Sequence, residues 1–337
     1  MLILGIESSC DETAGAVCKD GKIISNVVLS QEIHHKFGGV VPEIASREHD
    51  SQINSIILKA LDKANITFPD INAIAVTYGA GLMGALLVGL NYAKGLSIAL
   101  NIPFVGVNHL EGHLYASFIT YPKMEYPYLC LLVTGGHTQI WEVQSPGHYV
   151  LHSTTVDDAA GEAFDKGARI LGLSYPGGPE IEKMAQNGDP QKYSFSIPEV
   201  KSNPLNFSFS GLKTALLYKC RELSNEENAA NISNLAASYQ ETILKSLFKR
   251  LNHVIEKTGI DRVSIVGGVA ANKRFRELAD TLKNDTMIET YFPTPEYCTD
   301  NAAMIAMAGY EKLKDGIHSS LSLKANPNLA LNDGVMA

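Results

Sequence analysis

With 337 residues, 45% of them apolar, and a mean hydropathy close to zero, the chain is long enough for two packed domains and too balanced for disorder. Its formal charge of -8 gives no global electrostatic footprint for nucleic acid, so a polyanion would have to meet a local basic patch or a partner protein. The cysteines, Cys10, Cys18, Cys130, Cys220 and Cys298, are scattered and contain no C-x-x-C pair, which argues against a disulfide framework or a cysteine zinc knuckle and points to a reducing cytoplasm.

Leu2 to Ile6 is a short apolar run that turns acidic at Glu7, Asp11 and Glu12 with no basic segment before it, so it reads as a first strand and not as a secretory leader. Leu2 to Val17 predicts a hairpin around the small polar turn Glu7-Ser-Ser-Cys-Asp-Glu-Thr13. Ala73-Ile-Ala-Val-Thr77 then runs into Gly79-Ala-Gly81 and a helix, and Pro103-Phe-Val-Gly-Val107 leads to a helix opening near His109. The apolar stretch from Ala80 to Ala99 is interrupted by Asn91 and Lys94, which are costly in a bilayer, so no membrane span is expected.

The same order recurs. Tyr128 to Val143 is a second hairpin around Thr134-Gly-Gly-His-Thr138; Val263-Ser-Ile-Val266 runs into Gly267-Gly-Val-Ala-Ala-Asn272 and a helix; Ile288 to Phe292 leads to a helix opening near Asp300. Two duplicated α/β lobes facing each other across a nucleotide cleft are therefore expected. The predicted boundaries are residues 1–120 for the first lobe, 121–315 for the second with an insertion at about 149–232, and a partly loose polar tail at 316–337. This duplicated plan resembles the actin, hexokinase and Hsp70 ATPase superfamily.

In Asn108-His109-Leu-Glu111-Gly-His113, histidines at i and i+4 share one helix face and can bind one metal, or can be surface and capping residues. The repeat puts Asp300 at the corresponding junction of the second lobe, so the two lobes together would offer two imidazoles and a carboxylate around an ion between them, a set suited to catalytic Fe(II) or Zn(II). A zincin peptidase would need its glutamate at i+1. Glu111 stands at i+2, about 200° around the helix from His109.

Gly79-x-Gly81-x-x-Gly84 has the literal dinucleotide spacing, but the following strand ends Val107-Asn108-His109 without the required acid. No P-loop occurs, yet the turns Ser8-Ser9-Cys10-Asp11, Thr134-Gly135-Gly136-His137 and Gly267 to Asn272 can each cradle phosphate through backbone amides. Asp11 and Glu12 read equally as a solvated turn or a catalytic pair. Asp165 reads as a ribose or amine acceptor, or as an ion-pair partner of Lys166 or Arg169. Lysines and arginines at 213, 219 and 221, at 245, 249 and 250, and at 273, 274 and 276 are interleaved with acids; they read as solvated helix faces before phosphate contacts.

Together these motifs resemble the tRNA N6-adenosine threonylcarbamoyltransferases, once labelled O-sialoglycoprotein endopeptidases. The matching stretches run in order along the chain: Gly5 to Thr13, Asn108 to His113, Leu132 to Thr138, Asp157 to Lys166, Tyr175 to Pro179, Phe207 to Thr214, Gly267 to Asn272 and Cys298 to Ala303. The resemblance implies that His109, His113 and Asp300 bind one Fe(II) or Zn(II) per subunit. It also implies that Leu132, Val133, Thr134, Gly135, Gly136, Asp165, Gly178, Glu182 and Asn272 hold the adenylate-linked substrate, threonylcarbamoyl-AMP. Thr134 stands where Ser is more usual, and Glu182 where Asp is expected.

The implied acceptor is the N6 amine of the adenosine 3′-adjacent to the anticodon in tRNAs reading ANN codons. Asp11 and Glu12 are the candidates for proton acceptor. The implied partners are tRNA, a paralogous subunit of the same fold, a small P-loop ATPase, and a second copy of the chain when it is alone. Two other readings remain: a small-molecule kinase or ATPase of the same superfamily, which leaves the histidine pair idle, and a non-catalytic nucleotide-binding subunit.

Overall fold

The computed structural model describes residues 1–197, 199–285 and 288–331. They divide into two compact units, one made of the described residues within 1–124, 146–148 and 300–337 and the other of those within 125–145 and 149–299.

In the first unit the apolar run at the start forms β1 (Leu2–Glu7), which pairs antiparallel with β2 (Glu12–Lys19), and β2 in turn with β3 (Lys22–Ser30). On its other side β1 pairs parallel with β4 (Ala73–Gly79), and β4 with β5 (Phe104–Asn108), giving the order β3-β2-β1-β4-β5. Residues of β4 and β5 are buried throughout, as expected of parallel strands covered on both faces.

Helices α1 (Pro42–Lys63) and α2 (Met83–Leu100) follow β3 and β4, and α3 (His109–Thr120) follows β5. α2 is long and apolar enough to cross a membrane, but its Ala85, Leu86, Leu90 and Ala93 are buried in the unit while Met83, Leu87 and Ile98 are exposed. The last helix, α9 (Ala302–Lys314), covers the sheet face opposite α1: a Cβ on Gly15 would meet Ile57 of α1, whereas one on Gly5, whose cross-strand partner is Ala16, would meet Ala302 and Ala306 of α9. Side chains at Gly5 and at Gly309, where a Cβ would lie 2.3 Å from that of Ala75, would hold α9 off the strands.

The second unit repeats the plan. β6 (Tyr128–Val133), β7 (Thr138–Ser145) and β8 (His148–Thr154) are followed by β9 (Arg262–Val266) and β10 (Glu289–Tyr291), in the order β10-β9-β6-β7-β8. Between β8 and β9 come α4 (Ala160–Ile170), α5 (Gly177–Ala185), α6 (Ser210–Glu222) and the 34-residue α7 (Asn225–Thr258); α8 (Lys273–Asp285) separates β9 from β10. α7 begins in a capping box in which Ser224 and Glu227 each accept the other's backbone N–H, and ends at left-handed Gly259. Its Tyr239 and Leu247 join Leu129, Leu131, Phe164, Ile181 and Phe275 in one core.

The order 3-2-1-4-5, read by strand number within each unit, thus occurs twice. Three features differ from the sequence expectation. Each hairpin carries a third strand, so β8 belongs to the sheet and not to the insertion. The last helix and Asp300 belong to the first unit and not to the second, because α9 lies flat on the first sheet. Residues 317–331 of the tail are not loose: Ser319 N–H donates to Phe104 O, Asn326 N–H to Tyr78 O, and Leu329 and Leu331 are buried, so tail backbone groups find partners along β4 and β5. Residues 332–337 lie outside the described residues.

Candidate metal centre and ligand loops

Asn108 ends β5 in extended conformation and caps α3, its Oδ1 accepting the Leu110 N–H at 2.9 Å. The helix therefore begins at His109, with His113 one turn on. Asn301 does the same for α9, accepting the Met304 N–H at 3.0 Å, and Asp300 sits just before it. His109, His113 and Asp300 meet in the first unit with their donor atoms all within 4.8 Å of one another. Asp300 Oδ1 is 3.1 Å from His113 Nε2 and 3.5 Å from His109 Nε2, and the two rings are 4.8 Å apart at 87°.

This corrects the expected arrangement, in which one lobe would supply the imidazoles and the other the carboxylate: all three come from one unit, since α9 packs there. The set fits a divalent ion. Two imidazole nitrogens and one carboxylate oxygen, with donor atoms within 4.8 Å of one another, suit Zn(II) or Fe(II).

Charge is concentrated around the group. Burial opposes protonation of His109, but the carboxylates of Asp300 and Glu7 outweigh it and raise its pKa to about 9. Burial lowers that of His113. The carboxyl of Glu12 is pushed well above the ordinary range by burial and by the negative charges of Asp300 and Asp11. Glu111 points elsewhere. It is 3% exposed and pairs with Lys312 of α9 at 2.9 Å, which binds α3 to α9 and removes it from the histidine face.

The three glycine or hydroxyl turns fall into two places. Ser8 to Asp11 belongs to the first unit, where Ser9 Oγ lies 3.1 Å from His109 Nδ1 and Ser9 O accepts the Leu82 N–H. Gly81 is needed there because a Cβ would lie 2.5 Å from Ser9 O, so close packing accounts for it.

The other two turns are neighbours in the second unit, in a continuous ring of contacts. Thr134 closes the β6–β7 tip by hydrogen bonds to His137, leaving Gly135 and Gly136 exposed. Gly161 at the start of α4 packs against Thr134 O and Gly135, so a Cβ would sit 2.7 Å from the former. Asp165 of α4 accepts the Gly177 N–H at 2.7 Å, one residue before open Gly178 at the start of α5. Glu182 of α5 accepts the Lys273 N–H at 3.0 Å; adjacent Asn272 caps α8 through Phe275 N and donates to Gln240. Gly267, at φ +95°, returns to Val133, where a Cβ would lie 2.3 Å from its carbonyl oxygen. Leu132 and Val133 are fully buried beneath this ring.

Several members of the basic clusters are engaged by acids. Lys219 meets Glu222, Lys249 meets Glu199, and Arg274 meets both oxygens of Glu241. Sequence reasoning missed Glu7, Ser9 and Thr77 around His109. The available signal was a carboxylate closing an otherwise apolar strand.

A twice-repeated sheet of this order with two buried histidines beside a partly exposed carboxylate defines a protein of the actin-like α/β class carrying a candidate metal centre. Solved structures agree on the fold: HypF from T. kodakarensis has a TM-score of 0.63 at 12% identity, covering 94% of this chain and 48% of that one. The activator of 2-hydroxyisocaproyl-CoA dehydratase from Clostridium difficile, with bound ADPNP, has 0.54 at 16%, covering 94% and 97%. Residues 22–307 match the family described as tRNA N6-adenosine threonylcarbamoyltransferase. Proteins of that name from Thermosipho africanus and Caldicellulosiruptor saccharolyticus are 51% and 50% identical, each covering 98% of this chain, with 100% and 98% of their own lengths matched. The chain belongs to the tRNA N6-adenosine threonylcarbamoyltransferase family.

Proposed function

We propose that the chain transfers the threonylcarbamoyl group of threonylcarbamoyl-AMP to N6 of the adenosine 3′-adjacent to the anticodon in tRNAs reading ANN codons, with release of AMP. The observation that carries this reading is the convergence of His109, His113 and Asp300 in a chain that matches this transferase family along its length. A kinase or ATPase would leave those side chains without a task, and a zincin-type peptidase is opposed by the pairing of Glu111 with Lys312.

An exocyclic adenine amine is a weak nucleophile, so activation falls on the donor. His109, His113 and Asp300 would hold Fe(II) or Zn(II), which when bound supplies Lewis-acid polarisation of a carbonyl. The ring from Thr134 through Asp165, Gly178, Glu182 and Asn272 to Gly267 presents backbone amides and carboxylates suited to an adenylate, with Gly135, Gly136 and Gly178 open to a ligand. Asp11 and Glu12 are the candidate proton acceptors; burial and the negative charges of Asp300 and Asp11 make the Glu12 carboxyl hold its proton more tightly than usual. The anticodon loop is single-stranded and offers its base without opening a duplex.

The exposed apolar side chains Met83, Leu87 and Ile98 along α2 give a same-fold partner or a second copy a surface to cover. A P-loop ATPase partner follows from the family resemblance, and a cytoplasmic setting from that resemblance together with the scattered cysteines.

The test is transfer of labelled threonylcarbamoyl to unmodified tRNA by the chain with its helper proteins, before and after chelation, and by a His109→Ala/His113→Ala variant. Transfer lost on chelation, restored by metal and absent from the variant is expected; transfer unaffected by both removes the metal from the chemistry.

A further inference from the structure

Behind the candidate metal centre lies a buried carboxylate to which the reading above gives no task. Glu7 ends β1 and is 1% exposed. Its Oε1 accepts the Ser9 backbone N–H at 2.5 Å; its Oε2 accepts the Thr77 hydroxyl at 2.6 Å and lies 3.2 Å from His109 Nδ1. A carboxylate so enclosed is costly unless its oxygens are met, and here the partners hold one oxygen against an imidazole. That ring's other nitrogen, Nε2, is the one that approaches Asp300 Oδ1.

The geometry points to Glu7 as the positioning residue of the metal centre: it keeps the His109 proton on Nδ1, so that the Nε2 lone pair faces the ion. The inference rests on the metal-centre reading. Thr77, from β4, fixes Glu7 in turn, so a chain of hydroxyl, carboxylate and imidazole runs from the sheet to the ligand atom. Carboxylates in this outer position set the tautomer and raise the basicity of ligating histidines. Glu7 also adds a buried negative charge near the partly exposed Asp300, which favours a divalent cation.

Ser9 Oγ, 3.1 Å from the same Nδ1, is the competing partner. A hydroxyl both donates and accepts, so it accommodates either tautomer, whereas a carboxylate accepts only. The two assignments therefore separate experimentally.

The experiment measures zinc affinity of the metal-stripped full-length chain by competition with a chromogenic chelator, and the visible absorption of its cobalt form. The variants are Glu7→Gln, Ser9→Ala, Thr77→Val and His109→Ala/His113→Ala. Gln is isosteric, but its amide turned toward Nδ1 donates and holds the ring in the wrong tautomer. Glu7→Gln is expected to weaken zinc about 10–100-fold and change the cobalt spectrum, with Ser9→Ala within about 3-fold of wild type. Zinc held equally by Glu7→Gln and wild type overturns the proposal, even if the stripped variant melts lower, and so does a larger loss in Ser9→Ala than in Glu7→Gln. If Glu7→Gln does not fold, Thr77→Val, which leaves every charge in place, carries the test: weakened zinc with an altered cobalt spectrum supports the chain, and wild-type values of both overturn it. Zinc bound as tightly by the double-histidine variant as by wild type defeats the metal centre itself, a separate outcome.

Discussion

Glu111 and Lys312 provide the sharpest separation between a structural and a chemical role in the Asn108 to His113 motif. Glu111 is 3% exposed on α3, and Lys312 of α9 places Nζ 2.9 Å from its Oε2. Lys312→Met removes the cation beside an interior carboxylate, and breaking a buried pair costs about 3–5 kcal/mol. Glu111→Gln leaves a lysine whose flexible stem can carry its ammonium outward, so about 1–3 kcal/mol is expected. At about 2–4 °C per kcal/mol for a unit of this size, Lys312→Met should lower the first unit's melting point by about 6–20 °C, and Glu111→Gln by less. Glu111→Leu/Lys312→Met should recover most of the loss, since a hydrophobic pair replaces the ionic one. Calorimetry of the metal-free chain, with transfer assayed well below the transition, reads both effects. Abolished transfer in Glu111→Gln with an unchanged melting point would refute the reasoning and return Glu111 to the chemistry.

Other consequences are open to direct measurement. Because Asp300 and Glu7 hold the His109 pKa at about 9, the ring must surrender a proton to bind metal; zinc affinity should rise about tenfold per pH unit from about pH 6.5 to 8.5 and level off above 9, and a flat profile contradicts that. Gly267→Ala places a Cβ against the Val133 carbonyl in a glycine-only conformation; about 1–3 kcal/mol of stability and much of the affinity for a non-hydrolysable adenylate should go, as urea titration and calorimetric binding would report. Asp157 accepts hydrogen bonds from Ser208 Oγ, Phe209 N, and both N and Oγ of Ser210 at the start of α6, so Asp157→Ala should cost about 0.5–2 kcal/mol by loss of that cap. Leu87→Glu on exposed α2 should weaken association with a same-fold partner, read by sedimentation, with the chain's own melting point unchanged.

The double plan was legible because hairpins and strand-glycine-helix junctions leave local signals: Gly79 closes β4 and Gly267 directly follows β9, and Asn108 and Asn301 cap the helices that follow β5 and β10. The third strands were harder. β8 runs His148-Tyr-Val-Leu-His-Ser-Thr154 without strict alternation, at the edge of its sheet. The membership of α9 was not legible at all, since a chain reads in order whereas this helix returns to the first sheet; the close approaches of Gly5 to Ala302 and Ala306, and of Gly309 to Ala75, make that return physical. The candidate metal group was visible as the His109–His113 spacing and as the repeat position of Asp300, but Glu7 and Thr77 behind it lie 70 residues apart, and nothing local joins them. The ring around Gly267 draws on contacts among β6, α4, α5 and α8, which spacing cannot reveal.

The most direct test of the central claim supplies labelled threonylcarbamoyl-AMP to the chain and its helper proteins with two tRNAs, one unmodified and one carrying guanosine in place of the adenosine next to the anticodon, and follows AMP release and the modified nucleoside together. Stoichiometric AMP and labelled N6-modified adenosine from the first tRNA alone is the predicted result. Equal labelling of both tRNAs, or no transfer to either while ATP phosphorylates a small molecule, would contradict it.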